Sequence, residues 1–252
     1  MTTQKGTATE LGTLPIRKLL MQYSIPAIIA MTAASLYNMI DSIYIGQGVG
    51  ALAISGLALT FPLMNLAAAF GSLVGVGAAT LISVRLGQKD YDTAKDILGN
   101  VVLLNLIIGL AFGFITLIFL DPILYFFGAS EATIGYVRDF MRVILLGNVI
   151  THMYLGLNSV LRAAGHPKKA MMATINTVLF NVVLAPIFIY LFKWGIEGAA
   201  LATVMSQAIS LVRQIHILSN KEELIHLQKG IYKFKRTIVN NIIAIGMSPF
   251  LM

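Results

Sequence analysis

A bundle of membrane-spanning α-helices is the fold class this sequence predicts, and three observations carry it. The chain of 252 residues is 57% hydrophobic and only 12% charged, against about 25% charged in a typical soluble domain. Its apolar residues gather into six segments, each long enough to cross ~30 Å of hydrocarbon with about twenty residues. Its basic residues fall almost wholly on one side of those segments, the bias that orients helical membrane proteins. Nothing shows the ten-residue alternation of a membrane β-barrel.

Residues 1–14 are polar and lack an apolar stretch, so they read as a cytoplasmic tail and not as a cleaved signal peptide. A six-helix transmembrane lobe is predicted over 15–218. The first span covers Pro15–Gln47, with a kink expected at Pro26. The second covers Ala51–Leu86, and the third runs over Ile97–Leu120 until Asp121-Pro122 stops it. The fourth is expected at Tyr136–Leu161, the fifth at Ala170–Phe192 and the sixth at Gly198–Leu218. Residues 219–236 form a basic cytoplasmic linker. Residues 237–252 read as the start of a seventh helix cut short, so the sequence is expected to be a fragment. Its Arg236 followed by Ser248-Pro249 echoes Arg17-Lys18 followed by Ser24-Ile25-Pro26, as in a tandem repeat of one unit.

Lys5, Arg17 and Lys18 precede the first span, Arg85, Lys89 and Lys95 follow the second, and Arg162, Lys168 and Lys169 follow the fourth. Six more follow or end the sixth, and only Arg138, Arg142 and Lys193 of the 18 Lys and Arg fall on the other side. This puts the amino terminus in the cytoplasm of a cell membrane, the inner membrane of a prokaryote. It also accounts for the net charge of +7 without a nucleic-acid partner. With no Cys, disulfides and thiolate metal sites are excluded. The sequence holds no His-Glu-x-x-His, no Gly-x-Ser-x-Gly and no phosphate-binding loop, so an enzyme is not expected. Gly46-Gln-Gly48-Val-Gly50 follows a helix and reads as a tight turn. Small residues at four-residue spacing, Ala67, Gly71, Gly75 and Ala79 in the second span and Gly109 and Gly113 in the third, predict close helix packing.

Polar residues inside the spans carry the functional signal. Asp41 is the sole carboxylate well inside one, and burying it costs several kcal/mol unless a cavity or partner receives it. With Gly46 only five residues on, a place near the headgroups is the other reading. Tyr37 and Asn38 precede Asp41 at helical spacing and are expected on its face. Thr174, Thr177 and Asn181 share a face of the fifth span, and Thr203, Gln207 and Ser210 a face of the sixth. Asn148, His152 and Ser159 form a stripe on the fourth, with Asn158 beside it. Interhelical hydrogen bonds explain any one of these, whereas their combination with Asp41 predicts a partly wet cavity. His152 has no second His at ligand spacing, which argues against a metal site.

Asn38-Met-Ile-Asp41-Ser-Ile-Tyr-Ile-Gly46 resembles the first-helix signature of the multidrug and toxic compound extrusion (MATE) transporters. Leu157-Asn-Ser-Val-Leu161-Arg162-Ala-Ala-Gly165 is similar to their fourth-to-fifth-helix junction. Phe180-Asn181-Val-Val-Leu184-Ala185-Pro186 and Trp194-Gly195-Ile-Glu-Gly198-Ala199-Ala200-Leu-Ala202-Thr203 are similar to their fifth and sixth helices. The resemblance implies twelve helices in two six-helix lobes, this chain being the amino-terminal lobe. It implies an antiporter exporting small organic cations and other toxic compounds, coupled to H⁺ or Na⁺ and without a further cofactor. Its partners would be those cations, the bilayer and a carboxy-terminal lobe beyond this chain. By the same resemblance Asp41 is the coupling carboxylate, with Asn181 and Thr203 beside it and Na⁺ at Asp41 and Asn181 as one form of coupling. Tyr37, Asn38, Asn158, Thr177 and Gln207 are assigned to the substrate cavity. Relatives usually carry a second Asp where this chain has Ala185, and fewer anionic ligands weaken the hold on a hard cation. That departure favours proton coupling or a coupling site in the other lobe.

Two alternatives stand beside export. A related export fold could flip a lipid-linked precursor, which the acidic cavity disfavours. A single lobe in isolation could be inactive, since it lacks a second lobe to move against.

Overall fold

A computed structural model describes residues 15–228 and 230–250; the predicted tail over 1–14 lies outside them. Helix α1 (Ile16–Gly48) runs unbroken through Pro26, so the expected kink does not interrupt it. Gly50, at φ +119°, reverses the chain into α2 (Ala51–Gly87). Asp90 then caps α3 (Tyr91–Ile118), its carboxylate accepting the Thr93 N–H at 3.2 Å. That cap starts the third helix ahead of the predicted Ile97, because the polar first turn extends beyond the apolar stretch. A short α4 (Leu120–Phe126) follows, and Arg138 holds its Asp121 through two hydrogen bonds of 2.7 and 2.8 Å.

The fourth crossing is not the single helix predicted over Tyr136–Leu161. It is two, α5 (Ile134–Leu146) and α6 (Asn148–Ala163), bent by 57°. The bend sits at Gly147, where a Cβ would run into the Val204 side chain. Helix α7 (Pro167–Pro186) continues through a π-helical turn (Ile187–Leu191), and α8 (Gly195–Leu218) follows. With the bent pair counted as one crossing, six spans among the described residues are long and apolar enough for a membrane. A further helix, α9 (Arg236–Phe250), comes after the linker.

Lipid offers no hydrophobic drive between helices, so close approach holds them together. Gly71 faces Leu155 and the His152 backbone, and Gly75 faces Ser159 and Gly156, which seats α2 on α6. Gly109 and Gly113 let α3 meet Val149 and the Leu145 carbonyl at the bend. Gly77 abuts the Ile242 carbonyl while Gly246 abuts that of Leu73, locking α9 onto α2 backbone to backbone. Large apolar side chains such as Phe114, Leu191 and Val212 point outward, toward lipid.

Two apolar clusters result. One gathers Arg85-proximal and linker-proximal ends, with Leu86, Ile97, Leu161, Leu218 and Ile231, at what we call the basic end. The other gathers Ile45, Leu124, Val137, Phe188 and Ile196 at the opposite end. Buried polar side chains, among them Asn105, Asn148, His152, Asn181 and Thr203, lie in the spans between.

The linker is seated on the bundle and not free, a difference from a simple basic tether. Glu223 accepts hydrogen bonds from His166 Nε2 at 2.6 Å and Lys169 Nζ at 2.7 Å. Burial alone would raise its carboxyl, but the bond from Lys169 and the charges of His166 and Lys169 outweigh that and hold it below the usual range. Asn100, fully buried on α3, accepts the Lys235 N–H at 3.0 Å and donates to the Lys233 carbonyl at 3.2 Å. Lys235 also pairs with Asp96.

Candidate functional site

Helical spacing brings the polar faces of α7 and α8 together as one seam. Thr177 and Ser210 are hydrogen-bonded through hydroxyls 2.7 Å apart. One turn on, Asn181 Nδ2 donates to Thr203 Oγ1 at 3.1 Å. Thr203 donates its own proton to the Ala199 carbonyl, so its oxygen accepts both Asn181 and the Tyr37 hydroxyl, 2.9 Å away on α1. Gln207 Oε1 accepts from the Thr151 hydroxyl of α6 at 2.6 Å. Tyr37, Thr177, Val178, Asn181, Thr203 and Gln207 enclose a cavity of about 30 Å³, room for roughly one water.

Asp41 stands one turn beyond Tyr37 and is 7% exposed. It lies seven residues before the end of α1 at Gly48, about 10 Å along the axis, and it faces the bundle. Its Oδ1 is buried without a hydrogen-bond partner, and neither Asn181 nor Thr203 bonds to it. The carboxylate therefore adjoins the network through Tyr37 and is not one of the cavity's lining residues. Ala185, one turn after Asn181, is fully buried in the apolar cluster at the opposite end. Among the described residues no three His, Asp or Glu gather as a metal group.

Two sequence expectations need correction. Asn38 does not share the buried face of Asp41: it is exposed, and its carbonyl accepts from Ser42 at 2.9 Å. Packing of α1 chiefly against α7 buries only a narrow stripe, and a three-residue offset turns Asn38 some 60° away from Asp41. Asn158 is buried but lies elsewhere, donating Nδ2 to the Ala170 carbonyl at 3.0 Å beside a small hollow lined with Tyr23 and Pro26. It ties α6 to α7 near the basic end, because it falls two turns past the residues that meet α8. His152 is a structural residue, its Nδ1 2.9 Å from the Asn148 carbonyl and its ring fully buried. Sequence reasoning missed Thr151, the partner of Gln207. It lies three residues after Asn148 and seven before Asn158, so helical spacing could have placed it on their face.

The family model described as MatE matches residues 26–187. The multidrug export protein MepA of Staphylococcus haemolyticus (strain JCSC1435) is 32% identical over 237 residues, which cover 94% of this chain and 52% of MepA. MepA of Staphylococcus aureus (strain NCTC 8325 / PS 47) is 29% identical over 238 residues, 94% of this chain and 53% of its own. A structure described as the outward-facing conformation of a multidrug resistance MATE family transporter of the MOP superfamily superposes with a TM-score of 0.91 at 28% identity. It covers 100% of this chain, which covers 55% of it. The chain thus spans about half the length of the relatives it matches.

Proposed function

Because this chain belongs to the MATE family, we propose that it forms the amino-terminal lobe of a cation-coupled exporter of organic cations, with Asp41 as the coupling group. The observation that carries the reading is a buried carboxylate with an unmet hydrogen-bond acceptor, next to a network of neutral oxygens inside a multi-pass membrane bundle. Such a group is unstable alone in hydrocarbon and is satisfied by a proton, Na⁺ or an organic cation.

The three compete for one charge. An organic cation entering from the cytoplasm pairs with ionised Asp41; arrival of H⁺ or Na⁺ from outside neutralises the acid and releases the cation. Occupancy shifts the conformational equilibrium only through its different affinity for the two states, so Asp41 exchanges partners as α1 moves relative to α7. Tyr37 is the link, since its hydroxyl already reaches Thr203 and its ring stands one turn from Asp41. In the Na⁺ form Asn181 supplies Oδ1, its amide N–H being engaged with Thr203. Ala185 removes a second acid, and a single carboxylate serves a proton more readily than a hard cation. The basic residues at the start of α1 and in the linker support a cytoplasmic side for those ends, in a cell membrane.

The test is Asp41→Asn against Asp41→Glu, in cells making the transporter that carries this lobe. Efflux of a fluorescent organic cation driven by an imposed H⁺ or Na⁺ gradient is expected to fall at least ten-fold in the amide and to persist in part in the glutamate. Gradient-driven efflux in Asp41→Asn equal to the parent would sink the assignment.

A further inference from the structure

A second hollow, larger than the one beside Tyr37, is open to binding. It lies between α1, α2 and α6 toward the basic end and holds about 560 Å³. Met31, Val76 and Ala79 give it an apolar wall, and Arg162 supplies its charge. Four basic-end cations are matched by carboxylates: Arg85 by Asp90, Lys95 by Asp92, Lys169 by Glu223 and Lys235 by Asp96. Arg162 has no acidic partner among the described residues. Its Nη2 makes one long hydrogen bond, 3.3 Å, to Ser159 Oγ.

Two hydroxyls on the wall are already engaged, since Thr80 donates to the Val76 carbonyl and Ser83 to that of Ala79. The guanidinium is the charged donor among the lining residues, which also include Tyr23 and Ser159. An arginine fork suits phosphate oxygens. Its place suits them too, because Arg162 lies in the last turn of α6 as Arg85 does in the last turn of α2, among the basic residues that gather at one end of the bundle. The hollow is open at the side between α1 and α2, since α1 packs chiefly on α7 and touches α2 little. A cationic head beside an apolar wall, open sideways, fits a ligand with a phosphate and a long chain.

We propose that this hollow binds an anionic phospholipid from the leaflet at the basic end, its phosphate on Arg162 and an acyl chain along Met31, Val76 and Ala79. The site is separate from the Asp41 network and does not depend on the transport reading.

The test uses the purified 252-residue chain in detergent, with retained lipid counted by native mass spectrometry. The probes are dioleoyl phosphatidylglycerol, dioleoyl phosphatidylcholine and inorganic phosphate. Phosphatidylglycerol is expected to be retained at one tight site, with about ten-fold weaker retention in Arg162→Gln, the loss from removing a charge-assisted contact. Ala79→Phe fills the hollow with the arginine intact and is expected to lose the lipid as well, which keeps the test decisive if Arg162→Gln folds poorly. Arg213→Gln, an exposed cation of α8 outside the hollow, should bind as the parent does. Equal retention of phosphatidylcholine, inorganic phosphate binding as tightly as the lipid, or full retention in both hollow variants would overturn the proposal.

Discussion

Replacing Asn100 by Ala should free the linker from the bundle. The Asn100 amide reads two backbone groups of the approaching linker segment, accepting the Lys235 N–H at 3.0 Å and donating to the Lys233 carbonyl at 3.2 Å. Each such bond is worth about 1 kcal/mol net, and the vacated space under a fully buried side chain adds about as much, so the seat should weaken by roughly 2–3 kcal/mol. The exposed flanks of Lys233 and Lys235 let water recover part of the loss, which is why the larger penalty for sealed orphan groups does not apply. Amide hydrogen exchange over 231–236, followed by mass spectrometry, reads this directly. A drop of that size accelerates exchange about 30- to 140-fold. Asn100→Asp keeps the acceptor for Lys235 and loses the donor to Lys233, so about half the free-energy effect is expected. Exchange within three-fold of the parent in Asn100→Ala would refute the idea that this side chain holds the segment.

Thr203→Val removes the oxygen that accepts both Asn181 and Tyr37. It should cost about 2–3 kcal/mol in unfolding free energy, while Thr203→Ser stays within about 1 kcal/mol; equal melting of the two variants would contradict the network. Gly246→Leu drives a side chain into the Leu73 carbonyl and is expected to destabilise by about 1–3 kcal/mol in detergent melts. Glu223 has a folded pKa below its ordinary value of 4.5, so its contribution is complete above that pH and disappears as pH falls through the lower folded value. Melting of the parent should hold from pH 7 to 5 and then decline, and Glu223→Gln should lower the plateau by about 1 kcal/mol and flatten that decline.

The spans were legible because lipid demands long apolar helices and the basic residues mark their ends. Ile16–Gly48, Ala51–Gly87 and Gly195–Leu218 fall within three residues of the expected bounds. The break at Gly147 was hidden because hydropathy runs straight across it; what requires a glycine there is the Val204 side chain, distant in sequence. Seating of the linker was equally hidden, since Asn100 looks like one more polar residue at a helix start. At the candidate site, periodicity found Thr177, Asn181, Thr203 and Gln207, whose helices meet face to face. It failed for Asn38 and Asn158, where the direction of the neighbour, and not the spacing, decides what a side chain meets.

The elbow at Gly147 sets how force crosses the fourth span. The α5 arm is bound into the apolar cluster at the opposite end through Val137, Phe140 and Leu145, and the α6 arm into that at the basic end through Leu157, Val160 and Leu161. The Gly147 carbonyl accepts the amides of Ile150 and Thr151, so that carbonyl stays paired at the elbow. Each short arm is thus anchored in its own cluster, whereas the unbroken α2 beside them gives Leu57 and Leu63 to one and Ile82 and Leu86 to the other, joining the two ends through one rod.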